Sequence, residues 1–201
     1  MSEHYFSNVE PATELNLQVR QVQIRGREYR IYTADRVFSH TRLDLATSVL
    51  LDYAPKPIGD CLDIGCGWGP ITLGLAAESK GKVTAVDVND RAIQLTRLNA
   101  QNAGFSNVVV SQADQALEEL TPAGPCFDTI WSNPPVRVGK EQMRQILSSW
   151  LRLLRPSGRA YLVIGNNLGA KPTINWLNES GYRAEKLKSK KGFSLIEVAK
   201  Q

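Results

Sequence analysis

A chain of 201 residues, 42% hydrophobic and 22% charged, has the size and composition of one globular domain, able to bury roughly 70% of its unfolded surface without disulfides or a metal. No run approaches the ~18 to 20 apolar residues of a membrane span, the first ten residues lack the basic and apolar regions of a secretory signal, and the three cysteines, Cys61, Cys66 and Cys126, form no CxxC pair. We therefore expect free thiols, a cytoplasmic protein, and no membrane or metal partner; the two histidines, His4 and His40, supply zinc or Ser-His-Asp chemistry poorly.

Residues 15–33 alternate around Arg25-Gly26-Arg27 and predict a β-hairpin. Residues 41–54 place Leu43, Ala46, Val49, Leu50 and Tyr53 on one helical face, with Thr41 as the expected cap, before Pro55 and Pro57. From residue 60 strands and helices alternate. Strands are expected at Cys61–Ile64, Lys82–Val88, Asn107–Ser111, Phe127–Trp131 and 159–164. Helices are expected from the glycine loop to Lys80, from a cap at Asp90 to Ala103, over 140–154 and over 170–180. Two last strands, 182–188 and 193–199, are too close in sequence for a crossover and must pair antiparallel. The pattern predicts an α/β, Rossmann-like fold, a mostly parallel sheet with helices on both faces, and a ligand at the carboxyl ends of the strands.

Charge is uneven along this order. Residues 59–136 carry four basic and nine acidic residues, whereas residues 137–201 carry thirteen and four. The acidic middle suits a cationic or hydroxyl-rich small ligand and the basic end a polyanion.

Asp63-Ile-Gly65-Cys66-Gly67-Trp-Gly69-Pro70 follows a strand and opens a helix. Glycines let a backbone approach a ligand, and a helix N-terminus offers free N–H groups. The dinucleotide fingerprint would need glycine at Pro70 or Thr72, which disfavours a dehydrogenase. Asp63 would repel a pyrophosphate and attract an amino group. Asp87, twenty residues beyond Gly67, stands where a carboxylate takes both ribose hydroxyls. Asp114, after the third strand, can accept from an adenine amino group. Three acids on successive strand ends behind a glycine loop describe a nucleoside joined to an amino acid: S-adenosylmethionine.

Asn133-Pro134-Pro135 ends the fourth strand. The prolines remove two donors and fix the backbone. The Asn133 oxygen and the Pro134 carbonyl are then free to accept both hydrogens of a planar amine and to stabilise the charge that grows on it during methyl transfer. Arg137 and Lys140 follow directly, where a phosphate flanking the target would lie.

These motifs resemble the class I S-adenosylmethionine-dependent methyltransferases that act on amino groups. Tyr32-Thr-Ala-Asp-Arg-Val-Phe38-Ser39 and Asn133-Pro-Pro-Val-Arg-Val-Gly-Lys140 resemble, more narrowly, the small-subunit ribosomal RNA guanine-N2 methyltransferase family in its single-domain form. The resemblance implies a seven-stranded sheet with the last strand antiparallel, and one catalytic domain over 1–201, with an N-terminal hairpin extension (1–40) and a Rossmann-like core (41–201). It places Phe38 and Ser39 beside the cofactor, with Asp63, Gly65, Cys66, Gly67, Asp87, Asp114 and Asn133. Asn133, Pro134 and Pro135 are then expected to carry the catalysis, and Arg137 and Lys140 to meet the RNA, on its own or in the small ribosomal subunit. Many members have a stacking aromatic after the second proline; here Val136 stands there, and Phe38, Tyr5 or Phe6 are the candidate substitutes. Methylation of protein glutamine or adenine N6 uses the same turn and is the alternative chemistry. A non-catalytic binding protein is a third reading, disfavoured by the intact Asn-Pro-Pro turn.

Overall fold

The computed structural model describes residues 16–35, 37 and 43–201. Strands β1 (Gln18–Ile24) and β2 (Arg27–Thr33) form the expected hairpin, turning through Arg25 and Gly26. It is a separate two-stranded sheet that lays Ile24, Ile31 and Thr33 against the helices of the main body. Arg25 pins the turn. Its Nε meets Glu78 at 2.8 Å, Nη1 donates to the Ala54 carbonyl at 3.1 Å, and the guanidinium lies 5.3 Å from the Trp131 ring centre.

The main sheet has seven strands in the order β5-β4-β3-β6-β7-β9-β8. They are β3 (Cys61–Ile64), β4 (Val83–Asp87), β5 (Val108–Gln112), β6 (Phe127–Ser132), β7 (Leu154–Gly165), β8 (Tyr182–Lys190) and β9 (Phe193–Lys200). All neighbours are parallel except β9, which runs antiparallel to both β7 and β8, so the expected mostly parallel sheet with an antiparallel last strand is found. Between the strands run α1 (Leu45–Tyr53), α2 (Pro70–Glu78), α3 (Asp90–Asn102), α4 (Ala113–Leu120), α5 (Lys140–Leu151) and α6 (Ala170–Glu179). Strand alternation divides the core. Cys61, Val83, Trp131, Val163 and Leu195 face α1 to α3 and the hairpin, whereas Leu62, Val86, Ile130, Leu162 and Ile196 face α4 to α6.

Several expected boundaries move. The cap of α1 is Asp44, whose carboxylate accepts from the Thr47 N–H at 3.1 Å; Thr41, the expected cap, lies outside the described residues. The cap of α3 is Asn89 rather than Asp90, because the Asn89 oxygen takes the Arg91 N–H at 2.9 Å and leaves Asp90 in the first turn. Helix α4 was not expected. It starts after Gln112, which accepts from the Gln115 N–H at 3.0 Å. Helix α5 stops at Leu151 rather than 154 because the Leu153 carbonyl is taken by the N–H groups of Cys126 and Phe127, at 2.8 and 3.1 Å. β7 therefore begins at Leu154 and carries Pro156 and Gly158 within it.

Candidate active site

Strands β3 and β6 lie side by side, yet the chain leaves β3 toward β4 and β5 and leaves β6 toward β7. This reversal opens a crevice at their carboxyl ends, where open α/β sheets take ligands. Asp63 pairs in register with Trp131 and Ile64 with Ser132, and the Ser132 hydroxyl donates to the Ile64 carbonyl at 2.8 Å. Asp63 and Asn133 therefore stand on opposite walls of one crevice.

The glycine loop is held at every turn. Gly65 and Cys66 donate to the Val86 carbonyl at 2.9 and 3.0 Å, and Gly69 donates to the Cys66 carbonyl at 2.9 Å. Thr96 donates to the Gly67 carbonyl at 2.9 Å, and Asn99 to the Trp68 carbonyl at 2.7 Å. The Trp68 ring is buried in the core and anchors the loop from below. Gly65 and Gly67 have φ of 80° and 59°, and a Cβ at either would meet open space, so the loop presents bare backbone to a ligand.

Two carboxylates flank the loop. Asp63 is fully buried. Its Oδ2 accepts from the Thr72 hydroxyl at 2.6 Å, while Oδ1 has no partner among the described residues. Burial pushes its pKa up to about 7, with the Thr72 hydroxyl opposing and Asp87 adding to the rise. Asp87 accepts from the Gly67 N–H through Oδ2 at 2.9 Å and from the Asn89 N–H through Oδ1 at 3.0 Å. Burial raises its pKa too, against these backbone bonds. Asp114 sits exposed in the first turn of α4, at the same end of the sheet; Gln112 does the capping. An unpartnered buried carboxylate oxygen, a bare glycine cradle and a second carboxylate fixed by that cradle fit S-adenosylmethionine. Asp63 would take its ammonium, Asp87 its ribose and Asp114 its adenine amino group.

On the other wall Pro134 is buried and Pro135 exposed. The Pro135 carbonyl accepts from the Val138 N–H at 3.3 Å, whereas the Pro134 carbonyl has no partner among the described residues. The Asn133 amide nitrogen donates to Asp44 Oδ2 at 3.0 Å and to Thr47 Oγ1 at 3.1 Å. Sequence reading missed both partners. They lie 89 and 86 residues from Asn133, and only the Asp44 cap has a local signal. Phe38 and Ser39, and the stacking candidates Tyr5 and Phe6, lie outside the described residues.

Arg137 and Lys140 are exposed just beyond the turn, Arg137 in a single 3-10 turn and Lys140 at the start of α5. A second basic group shares their end of the sheet. Ser132, Leu162, Ile196 and Lys186 form one register row across β6, β7, β9 and β8, so Lys188 and Lys190 lie beyond it on the carboxyl side, with Lys191 in the following turn. Three strand spacings, about 14 Å, separate β8 from β6. The Lys188 ammonium lies 5.3 Å from the Tyr53 ring centre, at the far end of the helix that Asp44 caps.

Among the described residues no helix is long and apolar enough to cross a membrane. The family described as "Methyltransferase small domain" matches residues 28–197. The chain is 34% identical to the uncharacterized protein YbxB of Bacillus subtilis over the full length of both. It is 32% identical to ribosomal RNA small subunit methyltransferase C of Shewanella sediminis over 83% of this chain and 50% of that protein. Among solved structures, a Thermus thermophilus 16S rRNA N2 methyltransferase with AdoMet and guanosine superimposes with a TM-score of 0.75 at 25% identity, over 96% of this chain and 52% of that one. The chain thus spans about half the length of these ribosomal RNA methyltransferases. With its fold, its glycine cradle and its Asn-Pro-Pro turn, it belongs to the methyltransferase small domain family.

Proposed function

We propose that this protein methylates an exocyclic amino group of RNA, guanine N2 of small-subunit ribosomal RNA, in the cytoplasm. The observation that carries the reading is the Asn133-Pro134-Pro135 turn across the crevice from Asp63, with the Pro134 carbonyl unused among the described residues. Asp63, the Gly65–Gly67 loop, Asp87 and Asp114 would hold S-adenosylmethionine, which would supply an electrophilic methyl group from its sulfonium, the S–CH3 bond breaking to leave a neutral thioether. Asn133 Oδ1 and the Pro134 carbonyl accept the two hydrogens of the target amine. They draw its lone pair out of the ring and stabilise the positive charge that grows as the nitrogen attacks. Such fixed dipoles act without reorganising, which makes each worth about 3–4 kcal/mol by analogy with oxyanion holes. The methylated nitrogen then loses a proton to solvent, so no strong base is required. Arg137 and Lys140 hold phosphates beside the target base, and Lys188, Lys190 and Lys191 extend that contact along the rim.

Incubation with methyl-labelled cofactor and naked ribosomal RNA, 30S particles or protein extract tests the reading. Label is expected in N2-methylguanosine after nucleoside digestion. Label in N6-methyladenosine or in protein glutamine instead would replace guanine with the alternative substrates, and no transfer to any of them would leave only a binding protein.

A further inference from the structure

The crevice holds one more functional relationship, between Asn133 and the start of α1. We infer that Asp44 and Thr47 are positioning residues that fix which way the Asn133 carboxamide faces. The inference rests on the proposed role of Asn133 as an acceptor for the target amine.

A carboxamide has two nearly isosteric ends, an oxygen that accepts and an NH2 that donates. Turned by half a rotation, Asn133 would offer hydrogens to a target amine that also offers hydrogens, and the site would repel its substrate. Something must therefore set the sense of the amide. Asp44 does so by its chemistry, because an ionised carboxylate only accepts. The group that faces it at 3.0 Å has to be the NH2. The second amide hydrogen goes to Thr47 Oγ1 at 3.1 Å, on a residue with 4% of its surface exposed. With both hydrogens engaged on α1, the amide plane is fixed and Oδ1 faces away from that helix.

The same Asp44 oxygen accepts the Thr47 N–H at 3.1 Å and so caps α1. One atom ends the helix and orients the catalytic amide, and this separates two kinds of variant. Ser caps helices as well as Asp but carries its oxygen on a shorter side chain. Asp44→Ser keeps the cap and loses the reach to Asn133. Asp44→Asn keeps both, since its carbonyl, held by the Thr47 N–H, stands where Oδ2 stood.

The test measures kcat, the KM for RNA, cofactor affinity and the melting midpoint for Asp44→Ser, Asp44→Asn, Thr47→Val, the Asp44→Ser/Thr47→Val pair and Asn133→Ala. Asp44→Ser is expected to lower kcat at least about tenfold, the low end of what one hydrogen bond to a charged group is worth. Its KM, cofactor affinity and midpoint should stay near those of the parent. Asp44→Asn should rescue part of the lost rate, because its carbonyl keeps the bond but not the charge that strengthens it. The pair should lose more than the product of its single effects and approach Asn133→Ala, because either contact alone still holds the amide. A merely structural role would move the midpoint and leave kcat. The inference is overturned if Asp44→Ser turns over like the parent while Asn133→Ala does not, or if Asp44→Asn loses as much as Asp44→Ser. Near-normal turnover in Asn133→Ala would instead remove the reading of Asn133 on which the inference stands.

Discussion

The two halves of the sheet's carboxyl rim are built for opposite charges. On β3, β4 and β5 the exits carry Asp63, Asp87 and Asp114; on β6 and β8 they carry Arg137, Lys140, Lys188, Lys190 and Lys191. In the acidic half Asp63 is buried under the loop and Asp87 is tied to Gly67, both bonded in advance, while Asp114 is exposed at its edge. Its basic counterpart is exposed, and of its cations Lys188 is the one laid over a ring. This difference follows from the ligands proposed for each. A small cationic cofactor is enclosed, so its partners must be fixed in advance and matched in number. A polyanion is gripped from outside by mobile charges that exchange counterions, so the number of lysines matters more than their exact direction. Asn133 stands at the seam, where cofactor and substrate have to meet.

The sharpest break between the halves is at the seam itself. Asn133→Ala is expected to lower turnover on the order of 100-fold or more while cofactor affinity changes only a few-fold, measured by single-turnover kinetics and calorimetry. On the acidic half, Asp87→Ala should weaken cofactor binding by about 1.5–3 kcal/mol, the worth of hydrogen bonds to a charged group, and leave RNA affinity alone. An equal loss for both ligands would mean that the halves are not separate.

The next effect is one of pH. Asp63 has its pKa raised from 3.8 to about 7 in the folded protein. Its contribution to the stability of the cofactor-free protein is therefore full below the unfolded value and is lost as pH rises through about 7. Binding of an ammonium needs the carboxylate. Cofactor affinity should then fall up to about tenfold per pH unit below about 7, and fall again above the amine's own pKa of about 7.7–8.0. Calorimetry across this range should find the acid limb in the parent and a flat limb in Asp63→Asn. The smallest effect lies on the basic half. Replacing Arg137 and Lys140 by Ala should weaken RNA binding alike for all sequences and reduce the slope of log affinity against log salt by roughly 0.7–0.9 per charge. An unchanged slope would place the polyanion elsewhere.

The glycine loop, the three acids and the Asn-Pro-Pro turn were legible because each is a local pattern whose residue types have few other uses at a strand end. The antiparallel close was legible from the short Lys-Lys-Gly connection. Helix α4 has a local signal in Ala113, Ala116, Leu117 and Leu120, which repeat at helical spacing, but Asp114 at the strand end suits a ligand contact and a helix start alike. The end of α5 had no local signal, since the Leu153 carbonyl is claimed by β6, some 26 residues earlier. Asp44 was legible only as a polar residue before an apolar helix. Its second bond joins segments that no periodicity relates.

Asn99 carries a last consequence, for motion. This side chain, 1% exposed, accepts from the Tyr32 N–H at 2.7 Å and donates to the Tyr32 and Trp68 carbonyls at 2.9 and 2.7 Å. The end of the hairpin and the middle of the cofactor loop thus share one fastening, and neither can breathe far without releasing the other. A cofactor resting on Gly65 and Gly67 would therefore be expected to damp fluctuations in β2, which carries no proposed contact with it, through this amide. In hydrogen exchange the Tyr32 amide should slow when cofactor is added, and Asn99→Ala should uncouple the two. The hairpin is in this sense tied to the cofactor loop through α3 rather than by touching a ligand.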